Sequence, residues 1–218
     1  MSTDTIKDTR KVQVENPELA GFEVHGMTRS SFILRGALAA GAVYGVGAVT
    51  PFVSAALAET GGGDAEILNF ALTLEYLESD FYNVKGKSLH LTGEAKSYAK
   101  MFGEEEAEHV TALTAAIKSL GAKPVAKPAF AFPATSQASF LALASVLENT
   151  GVGAYNGAAP SLQSKQVLAA AGSIVQIEAR HAAAIDLLIG KSPTPTEGFD
   201  TPLTKAQVLA KAGPLIKK

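Results

Sequence analysis

The chain contains no cysteine, and that one absence removes several kinds of chemistry. Disulfides, thiolate zinc sites and cysteine-ligated iron–sulfur clusters are all excluded. Any metal held by side chains must therefore be held by oxygen and imidazole nitrogen. A basic stripe is also missing. Lys and Arg number 19 against 21 Asp and Glu, for a formal net charge of −2, so no nucleic-acid partner is expected. No segment alternates with strand period, and no sheet is assigned. What the 218 residues do hold is 47% hydrophobic side chains, enough for one core in a single globular domain with extra segments.

The first 26 residues are polar and without clear period. Thr28-Arg29-Ser30-Ser31-Phe32-Ile33-Leu34-Arg35 then leads into an uncharged stretch from Gly36 to Ala58. That stretch ends in Ala56-Leu57-Ala58, and Glu59-Thr60-Gly61-Gly62-Gly63 follows as a linker. A basic end, a weakly apolar centre and an Ala-x-Ala site come in the order of an export signal. Cleavage is expected after Ala58, giving a periplasmic or extracellular product. The Thr-Arg-x-x-Phe-Ile-Leu spacing resembles twin-arginine signals, with Ser30 where the second arginine belongs. One alternative is an uncleaved anchor, since 23 uncharged residues are long enough to span a bilayer. Its richness in Gly and Ala and its Pro51 count against that. The other alternative is a buried domain helix.

From Asp64 onward, Gly and Pro punctuation separates four segments of helical period. The first runs from about Asp64 to Val84, interrupted by Gly86-Lys87-Ser88. The second runs from Thr92, read as an N-cap, to Leu120, with Gly121 as its stop. Its inner face reads Tyr98, Phe102, Glu106, His109, Leu113, Ala116 and Leu120. Pro124, Pro128 and Pro133 make residues 121–135 an extended crossover. The third helix spans Ser136 to Ala158. The fourth runs from about Leu162 to Ile189, with Leu168, Ala171, Val175, Glu178, His181, Ile185 and Leu188 on one face. Short loop, long crossover, short loop implies an all-α fold: two antiparallel helix hairpins packed as a four-helix bundle with one crossover. The expected division is an export segment at 1–58, a linker at 59–63, the bundle at 64–190 and a tail at 191–218 carrying a short helix from Lys205 to Ala212.

Chemistry is concentrated in a repeat. Glu106-Ala107-Glu108-His109 recurs 72 positions later as Glu178-Ala179-Arg180-His181. A lone glutamate precedes each motif, Glu75 by 31 residues and Glu148 by 30. Seven residues after each lone glutamate comes a Tyr-Asn pair, Tyr82-Asn83 and Tyr155-Asn156. Residues three apart share a helix face, so the Glu and His of each motif can converge on one ion. Four carboxylates and two imidazoles in this order are the ligand set of a two-metal centre in a four-helix bundle. Four carboxylates also balance two divalent cations, which a low-dielectric bundle requires. Such donors suit iron, manganese or a mixed pair.

A single Glu-x-x-His would read as a surface pair; the repeat argues otherwise. It also selects Glu75 over Glu78, because Glu75 pairs with Glu148 in the phrase Leu-Glu-x6-Tyr-Asn. Glu104, Glu105, Glu108 and Arg180 are assigned to a solvated face. Tyr82 and Tyr155 lie two turns, about 10 Å, from Glu75 and Glu148 along their own helices. They could hydrogen-bond a group behind the ligands, act as redox-active residues, or pack in the core, the role we favour from sequence.

These motifs resemble the ferritin-like superfamily. The phrase Asn69-Phe70-Ala71-Leu72-Thr73-Leu74-Glu75-Tyr76-Leu77-Glu78 is similar to exported ferritin-like proteins, including the desiccation-related group. The resemblance runs from about Ala65 to Gly190. It implies that Glu106 and Glu178 bridge two ions, with Glu75, Glu148, His109 and His181 as terminal ligands. It also implies oxygen or peroxide chemistry of ferroxidase, peroxidase or oxidase type. A non-enzymatic stress protein of the same fold is the alternative. The implied partners are metal ions and O2 or peroxide, a membrane only if the N-terminal segment stays uncleaved, and a homo-oligomer is allowed.

Overall fold

The computed structural model describes residues 63–195 and 197–217; the expected export segment and residues 59–62 of the linker lie outside them. Four long helices make up most of the described chain. Helix α1 is Asp64–Asp80 and continues as a π-helical stretch, Phe81–Gly86. Helix α2 is Gly93–Ser119, α3 is Gln137–Ala158, α4 is Lys165–Leu188, and a short α5 spans Lys205–Ala212. Among the described residues no helix is long and apolar enough to cross a membrane. No strand occurs among them either; the one β contact is an isolated antiparallel bridge between Phe130 and Ile216.

The boundaries have local causes. Gly121 and Gly190 follow α2 and α4 with φ of +73° and +75°, the left-handed conformation that ends helices and that glycine adopts without strain. Helix α3 opens with a capping box in which Ser136 and Ser139 bond each other's backbone N–H. Thr204 and Gln207 do the same for α5, satisfying donors that helix geometry leaves free. Thr92 stands at the N-cap of α2 as expected, but its hydroxyl makes no capping bond to the helix. Instead its backbone N–H donates to Gln137 Oε1 at 2.8 Å, tying the start of α2 to the start of α3. The fourth helix starts at Lys165 rather than Leu162. A 3-10 turn over Ala159–Ser161 comes first, and Ser164 caps the helix through Val167 N.

Helices α1 and α2 form one hairpin and α3 and α4 the other. The crossover is extended and held from both sides. Asn69 on α1 receives Val125 N–H at 2.6 Å and donates to the Lys123 carbonyl at 3.2 Å. The C-terminal segment zips onto the other edge, with Ala131 N–H on the Leu215 carbonyl and Lys217 N–H on the Ala129 carbonyl, both at 2.9 Å. The tail also lies close on α3. Leu203 N–H donates to the Gly153 carbonyl at 2.8 Å, and a Cβ on Gly157 would fall 2.0 Å from the Leu203 carbonyl oxygen. Only glycine lets the backbone approach that closely.

The core has two apolar blocks. One contains Leu77, Phe81, Tyr82, Phe102, Phe140 and Ile185. Phe81 and Phe140 stack in it with ring centroids 4.4 Å apart. The other contains Leu68, Leu72, Leu113, Ile117, Val167 and Ile174. Along each long helix the polar candidate residues fall between the two blocks, so the fold buries them in mid-bundle.

The buried faces of α2 and α4 differ in part from the sequence reading. Leu120 and Leu168 are 41% and 40% exposed, while Ala95, Ala99, Gly103, Ile117, Val167 and Ile174 are buried.

Candidate metal centre

All six residues of the repeat converge. Glu75, Glu106, Glu148, Glu178, His109 and His181 are each buried, with the glutamates at most 1% exposed. Glu75, Glu106, His109 and Glu178 offer one donor atom apiece within 4.8 Å of one another, and Glu106, Glu148, Glu178 and His181 do the same. Glu106 and Glu178 belong to both groups. The arrangement is two adjacent donor sets sharing two carboxylates.

The histidines show what these sets could hold. His181 Nε2 lies 2.6 Å from Glu105 Oε2, so that nitrogen carries the proton it donates. Its Nδ1 then faces Glu106 Oε1 at 3.1 Å and Glu148 Oε2 at 3.4 Å. In the neutral ring that would set a lone pair against two carboxylates, an arrangement that needs a cation or an added proton between them. The ring is fixed in place by stacking on Phe102, centroids 3.9 Å apart. His109 Nδ1 meets three carboxylates, Glu178 at 3.1 Å, Glu75 at 3.2 Å and Glu106 at 3.3 Å. One N–H cannot satisfy three acceptors.

Metal-free, the cluster keeps charge down by holding protons. Burial raises Glu178 to about 8, with the Glu75 charge adding to the shift. Burial, then the charge of Glu178, raises Glu106 and Glu78 well above the usual carboxylate range. For His109, burial opposes protonation, but the carboxylates of Glu106, Glu178 and Glu75 close around its Nδ1 outweigh it and drive its pKa far upward. His181 moves the same way, with burial opposed and outweighed chiefly by Glu148. Divalent cations would replace these protons and meet the same carboxylates.

The tyrosines have a role beyond packing. Tyr82 does pack edge-on against Phe81, Phe102 and Phe140, but its hydroxyl also donates a short hydrogen bond to Glu148. Tyr155 donates to Glu75 at 2.5 Å. Each tyrosine therefore serves the glutamate of the other hairpin, not the one seven residues before it. The reason is that α1 and α3 run antiparallel: seven residues forward along one brings Tyr82 level with Glu148, and seven back along the other returns to Glu75 beside Tyr155. Burial, then the facing carboxylate, raises both phenols well above their ordinary range, so they remain donors. The π-helical stretch carries Tyr82, and Asn83 within it donates to the Gly103 carbonyl at 2.5 Å. A Cβ on Gly103 would sit 2.9 Å from Asn83 Oδ1, so glycine admits this contact.

One acid that the sequence reading assigns elsewhere belongs here. Glu105 is not part of the solvated face: its side chain is 40% exposed and its carboxylate orients His181. Glu104 and Glu108 remain exposed, as does Arg180. The repeat carried a clue, because the position matching Glu105 on α4 is Ile177, so His109 has no equivalent partner from that position. Replacing Glu105 by alanine is therefore expected to weaken the His181 set selectively. Outer carboxylates of this kind are worth about 10–100-fold in metal affinity. A two-site calorimetric titration with Mn(II) should show one affinity falling and the other unchanged; two equal falls would refute the selectivity. Glu78, which the repeat ranks behind Glu75, is 3% exposed beside the cluster but belongs to neither donor set.

The bundle and its buried cluster define a helical protein built around a Glu/His site that could hold metal. Comparison with known families agrees. The ferritin-like domain pattern matches residues 63–191, and the chain belongs to that family. No curated protein sequence matches it.

Proposed function

We propose that the cluster binds two metal ions, iron, manganese or a mixed pair, and that the protein reacts there with O2 or peroxide in a ferroxidase- or peroxidase-like manner. One observation carries the metal reading. Among the described residues, the buried side-chain atoms without a hydrogen-bond partner are Glu106 Oε1, Glu148 Oε2, both carboxylate oxygens of Glu178 and His181 Nδ1. All belong to this cluster. Stranding one such atom costs about 1–3 kcal/mol, and a shared cation satisfies several at once.

In this reading Glu106 and Glu178 serve both ions, and Glu75 with His109 and Glu148 with His181 complete the two sets. A bound pair supplies one-electron chemistry toward O2 or peroxide. The chain does the rest. Tyr155 and Tyr82 orient the Glu75 and Glu148 carboxylates, Glu105 holds the His181 tautomer, and the flanking apolar blocks keep bulk water away. Export belongs to the same proposal and rests on the segment from Arg29 to Ala58; an N-terminus at Glu59 in exported protein is its test.

The reaction is tested by adding Fe(II) anaerobically to the metal-free protein, admitting O2 and following its uptake. Uptake faster than for the same iron in buffer supports the redox reading. Bound iron without accelerated uptake would instead assign the metal a structural role.

A further inference from the structure

Glu78 has no place in the six-residue repeat, yet it is buried beside it. It lies one helical turn beyond Glu75 on α1, so both side chains project from the same face. The correspondence that pairs Glu75 with Glu148 pairs Glu78 with Gly151, three residues beyond Glu148 on α3. The bundle is thus not symmetric at this level. One helix carries a carboxylate and the other carries no side chain. The glycine opens a recess in the site: a Cβ on Gly151 would lie 3.0 Å from Glu178 Oε2 and 3.4 Å from Glu78 Oε1. Glu78 reaches into the space that Gly151 leaves, next to a carboxylate that belongs to both donor sets.

We propose that Glu78, outside both donor sets, is a fifth carboxylate held beside the ion pair in the space left by Gly151, and that it favours trivalent over divalent ions. The proposal rests on the dinuclear reading above. Its basis is charge. Glu75, Glu106, Glu148 and Glu178 neutralise two divalent ions but leave two trivalent ions with a surplus of two positive charges. A fifth carboxylate halves that surplus, whereas with divalent ions it creates a negative excess. Uncompensated charge in a buried site is costly, so the fifth carboxylate shifts preference toward the higher charge.

The test uses the full chain and two redox-inert probes, Zn(II) and Ga(III), the latter delivered as a soluble chelate. Glu78→Gln preserves volume and removes the charge. It is expected to bind two Zn(II) with affinity within about threefold of wild type, and to lose Ga(III) to a competing chelator at least about tenfold faster. Glu78→Leu removes the charge with an apolar side chain of similar size; it is expected to accelerate Ga(III) loss too, and carries the test if the first variant does not fold. Equal Ga(III) loss in wild type and variants overturns the proposal, as does an equal weakening of Zn(II) and Ga(III). A wild-type chain that binds neither ion overturns the dinuclear reading itself.

Discussion

Replacing Glu106 and Glu178 together by alanine is expected to reduce the metal bound per chain from two ions to none. Each carboxylate belongs to both donor sets, so removing the pair leaves Glu75 with His109 and Glu148 with His181. Two donors in each set provide one negative charge against a divalent ion, too little to offset the desolvation of a buried cation. Glu75→Ala and Glu148→Ala should behave differently. Each removes a donor from one set only, so each is expected to cost one ion of the two. The fold should survive the double change. Three of the buried atoms left without partners are Glu106 Oε1 and the two Glu178 oxygens, and relieving such groups recovers about 1–3 kcal/mol apiece. That opposes the packing lost when the side chains are truncated. Elemental analysis of purified protein measures the ion count, and circular dichroism checks the helices. Wild-type metal content in the double variant would sink the assignment.

The parts of this site legible in sequence were those that depend on spacing along one helix. Three-residue steps placed Glu106 with His109 and Glu178 with His181, and the recurrence identified Glu75 and Glu148. The helices themselves were marked by residues with strong backbone preferences, Gly121 and Gly190 among them. The parts not legible depend on reach between helices. Glu105 meets His181 across the bundle, 76 residues away in sequence, and its neighbours Glu104 and Glu108 are chemically identical acids that face solvent. The crossed tyrosine bonds require the antiparallel register of α1 and α3, which sequence period alone does not fix. The π-helical stretch Phe81–Gly86 replaces the usual hydrogen-bond spacing without a distinctive composition, so in sequence it looks like the end of an ordinary helix. The repeat also separated two acids on one face of α1: it selected Glu75, which belongs to a donor set, over Glu78, which belongs to neither.

Metal-free protein is expected to lose stability as pH rises from about 5 to about 8, while the stabilisation given by added divalent metal grows over the same range. The direction follows from Glu178. Its pKa is raised from 4.5 to about 8 in the fold, so the folded chain holds this proton more tightly than the unfolded chain does. The stabilisation is fully present below the unfolded value and is lost as pH climbs through the folded one. Each unit of separation corresponds to about 1.4 kcal/mol, which places the change on the order of a few kcal/mol. The histidines act in the same direction, since their raised values also favour the protonated fold and that advantage diminishes above the unfolded histidine value. Divalent ions compete with these protons, so their apparent affinity increases as the protons leave. At a metal concentration about 100 times the dissociation constant, binding adds about 2.7 kcal/mol, a rise of about 5–10 °C in melting temperature for a domain of this size. Thermal melts at several pH values, with chelator and with Mn(II), measure both trends. Glu178→Gln supplies the control: the variant removes this group's titration, so its metal-free melting temperature should fall less steeply with pH. A wild-type curve that is flat or rises across this window, or one that Glu178→Gln leaves unchanged, would show that Glu178 does not hold its proton against the unfolded chain.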